Sequence, residues 1–565
     1  MPVHKIISHW MENGGESVLR RKILMKEQRE SGSFMSGVLV LSLSTVIVKV
    51  IGLAYKIPML SYLGTEGMGY FNSAYEIYAM LCVISTAGLP VALSMLISAG
   101  RQREDWDEIR RIRRSAMTLF LFLGALGSTC MVLFSRSIAE WIGNTDARFC
   151  IVAIAPALFF VCISSAFRGW FQGFNQMLPT AVSQLIEALG KLGFGIWFAS
   201  WALKQGWGIP MVSAAAIMGI SLGTVLSVIY LSAVRWLGGR KNAPVLSSPI
   251  VQSKKRESSM LLLIRIAIPI TLSSAVLSIT KLSDMALIMR RLQFIGMNVA
   301  EANRIYGAYT TLAVPVFSLI PALITPISLS LVPQLSAAIE GKSREKQQSV
   351  VERALKMTVL LSMPAGMGIC VYSTPILSLL FPAKEEAISL AAPLLSVLGL
   401  SILFSGMITT TNAMLQSYRQ ETKPIVSMTV GAGIKILLAY LLIGNPSVGV
   451  MGAPISTFGC NVTVTVLNLL FLKKCFPSRK IPGGMLSIYY KPLLASVISI
   501  SISLLGYIPV FRHTNHGSLA FIIACGLAVV SYLVLGVAMG MITKEDFSFL
   551  PVGKRILKAK HNAKS

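Results

Sequence analysis

The run Phe34–Leu60, FMSGVLVLSLSTVIVKVIGLAYKIPML, carries only two charges, Lys49 and Lys56. Crossing a hydrocarbon core of ~30 Å takes about 20 apolar residues at a rise of about 1.5 Å each. Phe34–Leu60 meets that length, and backbone polar groups in lipid must be satisfied within the segment, so the run predicts a membrane-spanning helix. Seven residues turn through about 700° on a helix, which sets both lysines on one face. A cation at bilayer depth costs about 2.5–3.5 kcal/mol on insertion scales, so such a face belongs to a wet cavity or a partner. A cationic face suits an anionic cargo.

Working outward, apolar runs of this length recur along nearly all 565 residues. Only 13% of residues are charged, far below the ~25% of soluble domains, which excludes a soluble globular class. Fourteen runs are expected, the second at 69–98 and the fourth at 149–166. The net charge of +27 does not point to nucleic acid. Lys and Arg concentrate in both tails and in alternate loops, the positive-inside pattern, which places both termini in the cytoplasm. No cleavable signal is expected, since residues 1–33 are polar and basic and the first apolar run is too long for one. Arg20, Arg21 and Lys22 would lie against the inner leaflet. The eight cysteines read as small apolar residues, and His513 and His516 lack a third ligand, so no metal site is expected.

The runs repeat in sixes. Pro90-Val-Ala-Leu93-Ser94 and Pro326-Ile-Ser-Leu329-Ser330 each follow a tyrosine by twenty residues, Tyr70 and Tyr306. Arg114 matches Arg353, Pro179 matches Pro424, Lys191 matches Lys435 and Thr224 matches Thr465, all at a similar offset. Six spans per copy give both copies one orientation, a parallel repeat with a pseudo-twofold axis along the membrane normal and a site between the halves. The expected fold is therefore an all-α polytopic membrane protein of 14 transmembrane helices. Its parts are a basic tail (1–33), an N-lobe (34–234), a cytoplasmic linker (235–258), a C-lobe (259–473), two extra helices (474–541) and a second basic tail (542–565). Prolines within runs, at Pro90, Pro156, Pro315, Pro321 and Pro326, mark expected kinks.

The charges within runs are the site candidates. Glu187 and Lys191 stand i,i+4 with Glu first, the order that favours a local pair. Lys281 and Asp284 stand i,i+3 and could neutralise each other, or Asp284 could serve a coupling cation, Na+ or H+. Arg265 can snorkel to its end of the span. Lys49 and Lys56 have no acid in their own run, and Glu76 can reach one of them. The expected cavity set is Lys49, Lys56, Glu76, Lys281 and Lys435, with Arg290 and Arg291 at an outer vestibule. No phosphate loop or HExxH occurs, and the outer loops are short, so transport is expected rather than catalysis, with no cofactor beyond a coupling cation.

Three stretches carry a resemblance. They are Tyr55-Lys56-Ile57-Pro58 running through Leu63-Gly64-Thr-Glu66-Gly67 and Ala74-Tyr75-Glu76 to Leu-Pro90, then Phe167-Arg168-Gly169-Trp170-Phe171-Gln172-Gly173 with Pro179, and Asp284 to Leu292 with Tyr306-Gly307. Together they resemble the stage V sporulation protein B and MurJ-like flippases of the multidrug/oligosaccharidyl-lipid/polysaccharide exporter superfamily. The resemblance implies two six-helix lobes around a cationic cavity, with alternating access. It implies a cargo of undecaprenyl-pyrophosphate-linked sugar, lipid II for peptidoglycan or spore cortex, moved from inner to outer leaflet. It further implies that first-span cations, here Lys49 and Lys56, meet the pyrophosphate, and that the last two helices form a groove for the lipid tail. Relatives often carry a basic residue where Met95 stands, and a lysine binds phosphate without the bidentate fork of arginine. The partners so implied are the lipid-linked glycan and the bilayer of a bacterial cell membrane; no nucleic acid is expected from the charge distribution, and a monomer is the expected working unit. An exporter of another lipid-linked polysaccharide unit is the alternative. A cation-coupled multidrug exporter would call for acidic cavity residues, and a glycan-polymerising enzyme for larger outer loops.

Overall fold

A computed structural model describes residues 16–241, 259–382, 384–475, 485–514 and 517–541, and no strand occurs among them. Residues 1–15, most of the 235–258 linker, the 542–565 tail and His516 lie outside the described residues. Among the described residues, eleven helices are long and apolar enough to cross a membrane, or 12 if the bent pair Met260–Leu272 and Ser274–Phe294 forms one span. The chain is a multi-pass membrane protein.

The first helix, α1, runs Glu16–Thr86, 71 residues that would reach ~100 Å if straight. It is not one rod. Gly64 has φ 65° and ψ −177°, a conformation without penalty only for a residue lacking Cβ, and it joins the first two apolar runs with almost no loop. After a break at Ala87 and Gly88, α2 (Leu89–Gln102) opens with Pro90 in its first turn, where a missing N–H costs nothing. Then come α3 (Trp106–Leu133), α4 (Ser135–Trp141), α5 (Ala147–Gly173), α6 (Met177–Lys204) and α7 (Ile209–Lys241). The Asp105 carboxylate starts α3 by accepting from the Glu108 N–H at 2.8 Å. Pro156 sits inside α5 without breaking it, unlike Pro90.

The second group begins with α8 (Ser259–Phe294) and α9 (Val299–Ala308), whose start is fixed by a capping box between Asn298 and Glu301. A π-helical turn, Tyr309–Ala313, joins α9 to α10 (Val314–Glu340), which opens with Pro315. Next are α11 (Arg344–Val371), α12 (Ser373–Leu380), α13 (Glu385–Ser417), α14 (Thr422–Ile443) and α15 (Gly452–Cys475), then α16 (Met485–Thr514) and α17 (Gly517–Ala538).

Helices α1 to α7 pack on one another, and so do α10 to α15. Glycines permit the closest approaches in the first group: Gly190 lies against Gly223 and Gly219 against Gly195, where α6 meets α7. Between the groups, α1 packs on α8 and α9, and α2 packs on α8. Gly69 lies against Asn303, and Gly307 against the Thr65 carbonyl, so no side chain fits between the two backbones there. The last pair pack on each other, α16 on α11 and α17 on α12. The Tyr372 hydroxyl lies 2.6 Å from Ser503 Oγ, and the Tyr532 hydroxyl donates to the Leu360 carbonyl at 3.1 Å.

Candidate functional site

Lys56 lies half-buried on α1 and donates to the Thr310 carbonyl across the group boundary at 2.7 Å. The partner carbonyl has a local cause. A π turn widens the helix by one residue and disturbs the regular carbonyl pairing, and Thr310 sits within that turn. Asn72, also on α1, donates from Nδ2 to the Thr310 and Thr311 hydroxyls, each at 2.9 Å. The π turn and the first two spans are thus tied by three bonds.

Glu76 lies about one turn beyond Asn72 on α1 and makes no hydrogen bond to a described residue. The charges acting on it are Lys281, Lys56, Asp284 and Lys435. Those acting on Lys56 are Lys191 and Glu76. The structure therefore gathers Lys56 and Glu76 from α1, Lys191 from α6, Lys281 and Asp284 from α8, and Lys435 from α14. Four ammonium groups face two carboxylates, which leaves the cluster cationic.

Two expected pairs are replaced. Glu187 does not pair with Lys191; Arg168 on α5 takes it, with Nη2 at 2.7 Å from Oε2. The same guanidinium donates to Ser183 Oγ at 3.0 Å and Ser227 Oγ at 3.2 Å, so three helices share it. A fork of five N–H donors satisfies a carboxylate and two hydroxyls together, which an ammonium one turn away on the same helix cannot match. Lys191 instead lies over the rings of Tyr75 at 4.8 Å, Tyr55 at 4.9 Å and Phe71 at 5.9 Å. Its ammonium is held by aromatic faces rather than by an acid. Likewise Asp284 does not pair with Lys281. Lys435, only 9% exposed, forms the ion pair with Asp284 between α14 and α8. That pairing places an ammonium where a coupling cation would have to sit. Lys281 is left exposed and without an ion pair among the described residues.

Lys49 is not brought to the cluster. It is exposed beside Val46, Ile47 and Val50, with no hydrogen bond or ion pair to a described residue. Below Lys56, α1 meets the π turn but scarcely α10, where Ser318, Leu323 and Thr325 are exposed. Helices α1 and α10 are thus scarcely in contact beside Lys56, and Lys49 stands about 10 Å further along the same helix face.

Beyond Lys56, toward the Gly64 end, the groups are joined. Asn144 and Asn303 are fully buried and exchange amide bonds of 2.8 and 3.0 Å, and Asn144 also donates to Ser73 Oγ at 3.1 Å. Gln293 Nε2 donates to the Gly143 carbonyl at 2.7 Å. The two expected vestibule arginines serve packing here. Arg290 reaches the Glu140 carbonyl at 3.5 Å, and Arg291 donates to the Tyr440 carbonyl at 3.1 Å while stacking on Tyr440 and Phe294. Arg304 pairs with Glu386.

Sequence reasoning missed Arg168, Lys191's aromatic cage and the Asn144–Asn303 bridge. The signal for Arg168 was present: α5 runs to Gly173, so a span ended at residue 166 cuts the arginine off. Nothing local marks Asn144 or Asn303, which meet across 159 residues of sequence.

The family described as "Polysaccharide biosynthesis protein" matches residues 34–339, and MatE matches residues 307–441. Stage V sporulation protein B of Bacillus subtilis (strain 168) is 25% identical over 531 residues, 93% of this chain and 99% of its own length. Lipid II flippase MurJ of the same organism is 25% identical over 429 residues, 73% of this chain and 78% of its own. Among solved structures, lipid II flippase MurJ in an inward closed conformation superposes with a TM-score of 0.68 at 15% identity, covering 88% of this chain and 98% of that one.

Proposed function

The chain belongs to the polysaccharide biosynthesis protein family, and we propose that it is a flippase, not an enzyme, for an undecaprenyl-pyrophosphate-linked sugar, with lipid II as its cargo. The observation that carries this reading is the cationic cluster between the helix groups. A diphosphate crossing a bilayer must be sheltered from hydrocarbon. Fixed ammonium groups in a hydrated cleft supply that shelter, and the polyprenyl tail can stay in lipid while the headgroup passes.

In this reading the headgroup enters between α1 and α10, meets Lys49 first, and then displaces the Thr310 carbonyl from Lys56. Lys281 and Lys435 line the second wall. Glu76 balances the empty site and holds the ammonium groups apart. Alternating access follows if the contacts at the Gly64 end part while α1 and α10 close together. Asp284, held by Lys435, could accept a coupling cation only when Lys435 turns to the diphosphate, which would link ion entry to cargo entry. Arg290 and Arg291 would line the vestibule once the Gly64 end opens.

The same reading takes α1 as two spans divided at Gly64, α8 as one bent span, and α6 as a span whose hydropathy is lowered by Glu187 and Lys191. These give fourteen spans, two six-helix lobes related by a pseudo-twofold axis, and both termini in the cytoplasm. Helices α16 and α17 would bound the groove for the lipid tail, and the monomer would be the working unit. The MatE match raises a multidrug exporter as a second reading, against which the excess of ammonium over carboxylate in the cluster argues.

The experiment is depletion in the host, followed by a leaflet assay for lipid II. Accumulation of lipid II on the cytoplasmic side is expected. Unchanged lipid II with loss of a capsule or exopolysaccharide would transfer the assignment to another lipid-linked unit.

A further inference from the structure

At the end of the bundle opposite Gly64, α3, α5 and α7 line an open cavity of about 670 Å³ that plays no part in the central cleft. Arg113, Arg114 and Arg235 converge on it, with Met117, Phe167, Ser232 and Trp236 completing the wall. Arg235 stacks over the Trp170 ring at 4.6 Å and reaches Phe167 at 6.0 Å, and Arg113 lies over the same Trp170 at 5.6 Å. Stacking fixes the guanidinium planes while leaving their N–H edges free to donate.

The acids nearby are already engaged. Asp107 pairs with Arg110 at 2.8 Å, Glu108 with Arg103 at 3.5 Å, and Asp105 caps α3. Arg113, Arg114 and Arg235 form no ion pair or hydrogen bond with a described residue. Three positive charges, two of them held by stacking, thus surround a cavity of ligand size with no acid paired to them among the described residues. The rim is apolar and exposed: Trp236 at 62% and Leu237 at 59%. A tryptophan at such a rim is the side chain that settles at headgroup depth in a bilayer.

We propose that this cavity binds the phosphate headgroup of an anionic phospholipid, with its acyl chains running toward the bilayer interior past Leu121 and Ile229, exposed about one turn inward of Met117 and Ser232. The guanidinium edges take the phosphate oxygens, and these two apolar side chains take the start of the chains. An aqueous phosphate would use the arginines but not the apolar side chains, so these favour a lipid as the source.

The test is native mass spectrometry of the full-length protein with phosphatidylglycerol or phosphatidylcholine added at equal concentration, and separately with inorganic pyrophosphate. Wild type is expected to retain phosphatidylglycerol over phosphatidylcholine by about tenfold, the scale of one or two charge-assisted hydrogen bonds. R113Q/R235Q is expected to lose that preference, and R235K, which keeps charge without the stacked fork, to lose part of it. Thermal melting checks that each variant is folded, and R235K decides the matter if the double variant is not. Equal retention by wild type and R235K, together with an unchanged preference in any folded glutamine variant, would overturn the site. Pyrophosphate binding without any preference for phosphatidylglycerol would overturn the lipid assignment.

Discussion

At the scale of single residues, the central feature is that Lys56 is engaged but not neutralised. A neutral carbonyl holds it, at 2.7 Å, and that bond can be exchanged for a phosphate oxygen without breaking an ion pair. Lys56→Gln should therefore leave the fold intact and weaken lipid II binding by about tenfold, since a charge-assisted bond gives way to a neutral one; titration of the purified protein with lipid II reads this. Arg168 and Glu187 behave differently, because their pair is partly buried and structural, at 15% and 27% side-chain exposure. Glu187→Gln should cost about 1–3 kcal/mol and lower the melting temperature by several degrees. A double-mutant cycle with Arg168→Met should show coupling above about 1 kcal/mol, whereas simple additivity would contradict the pairing. Lys49, Lys56 and Glu76 were legible as embedded charges because apolar surroundings make a charge conspicuous. Their partners were not. Spacings of i,i+3 and i,i+4 see only one helix, and both Glu187 and Asp284 turned to a different helix where the geometry was better.

Among elements, the joint between α1 and α9 governs the Gly64 end. Gly307 stands against the Thr65 carbonyl, so a larger side chain there must push the two helices apart. Gly307→Val should open that end. A cysteine at Ser73, now fully buried beside Asn144, should then react several-fold faster with a water-soluble maleimide in a background free of native cysteines. An unchanged rate would show that the joint does not hold the end shut. Asn144→Ala should act in the same direction by leaving the buried Asn303 Oδ1 without its donor, a cost of about 1–3 kcal/mol to the closed form. The helices themselves were readable from apolar length. Their joints were less so: Gly64 was visible as a glycine between two runs, but only the backbone conformation shows that the runs meet there with almost no loop. The π turn at Tyr309–Ala313 has no sequence mark beyond the following Pro315, and it is this turn that offers Lys56 its carbonyl.

For the whole molecule, the membrane class and helical content follow from composition, because no other backbone arrangement with this apolar length survives in lipid. Reading α1 and α6 as three spans in all places both termini on one side. Reporter fusions at residues 1 and 565 should accordingly give the same compartment, and opposite compartments would remove a span from the account. The internal repeat was visible as matched residues at a common offset, yet the repeat does not make the halves chemically alike. Lys191 and Lys435 match in sequence, but one rests on aromatic rings and the other on Asp284. That asymmetry comes from packing between distant segments, which spacing along the chain does not encode. The claim on which all of this depends is that ammonium groups between the two helix groups shelter a diphosphate. The most direct measurement is lipid II translocation in proteoliposomes by wild type and by Lys56→Gln/Lys281→Gln, with melting curves confirming that both are folded. The account predicts a loss of translocation of at least about tenfold in the double variant. A folded double variant that flips lipid II at the wild-type rate would contradict it.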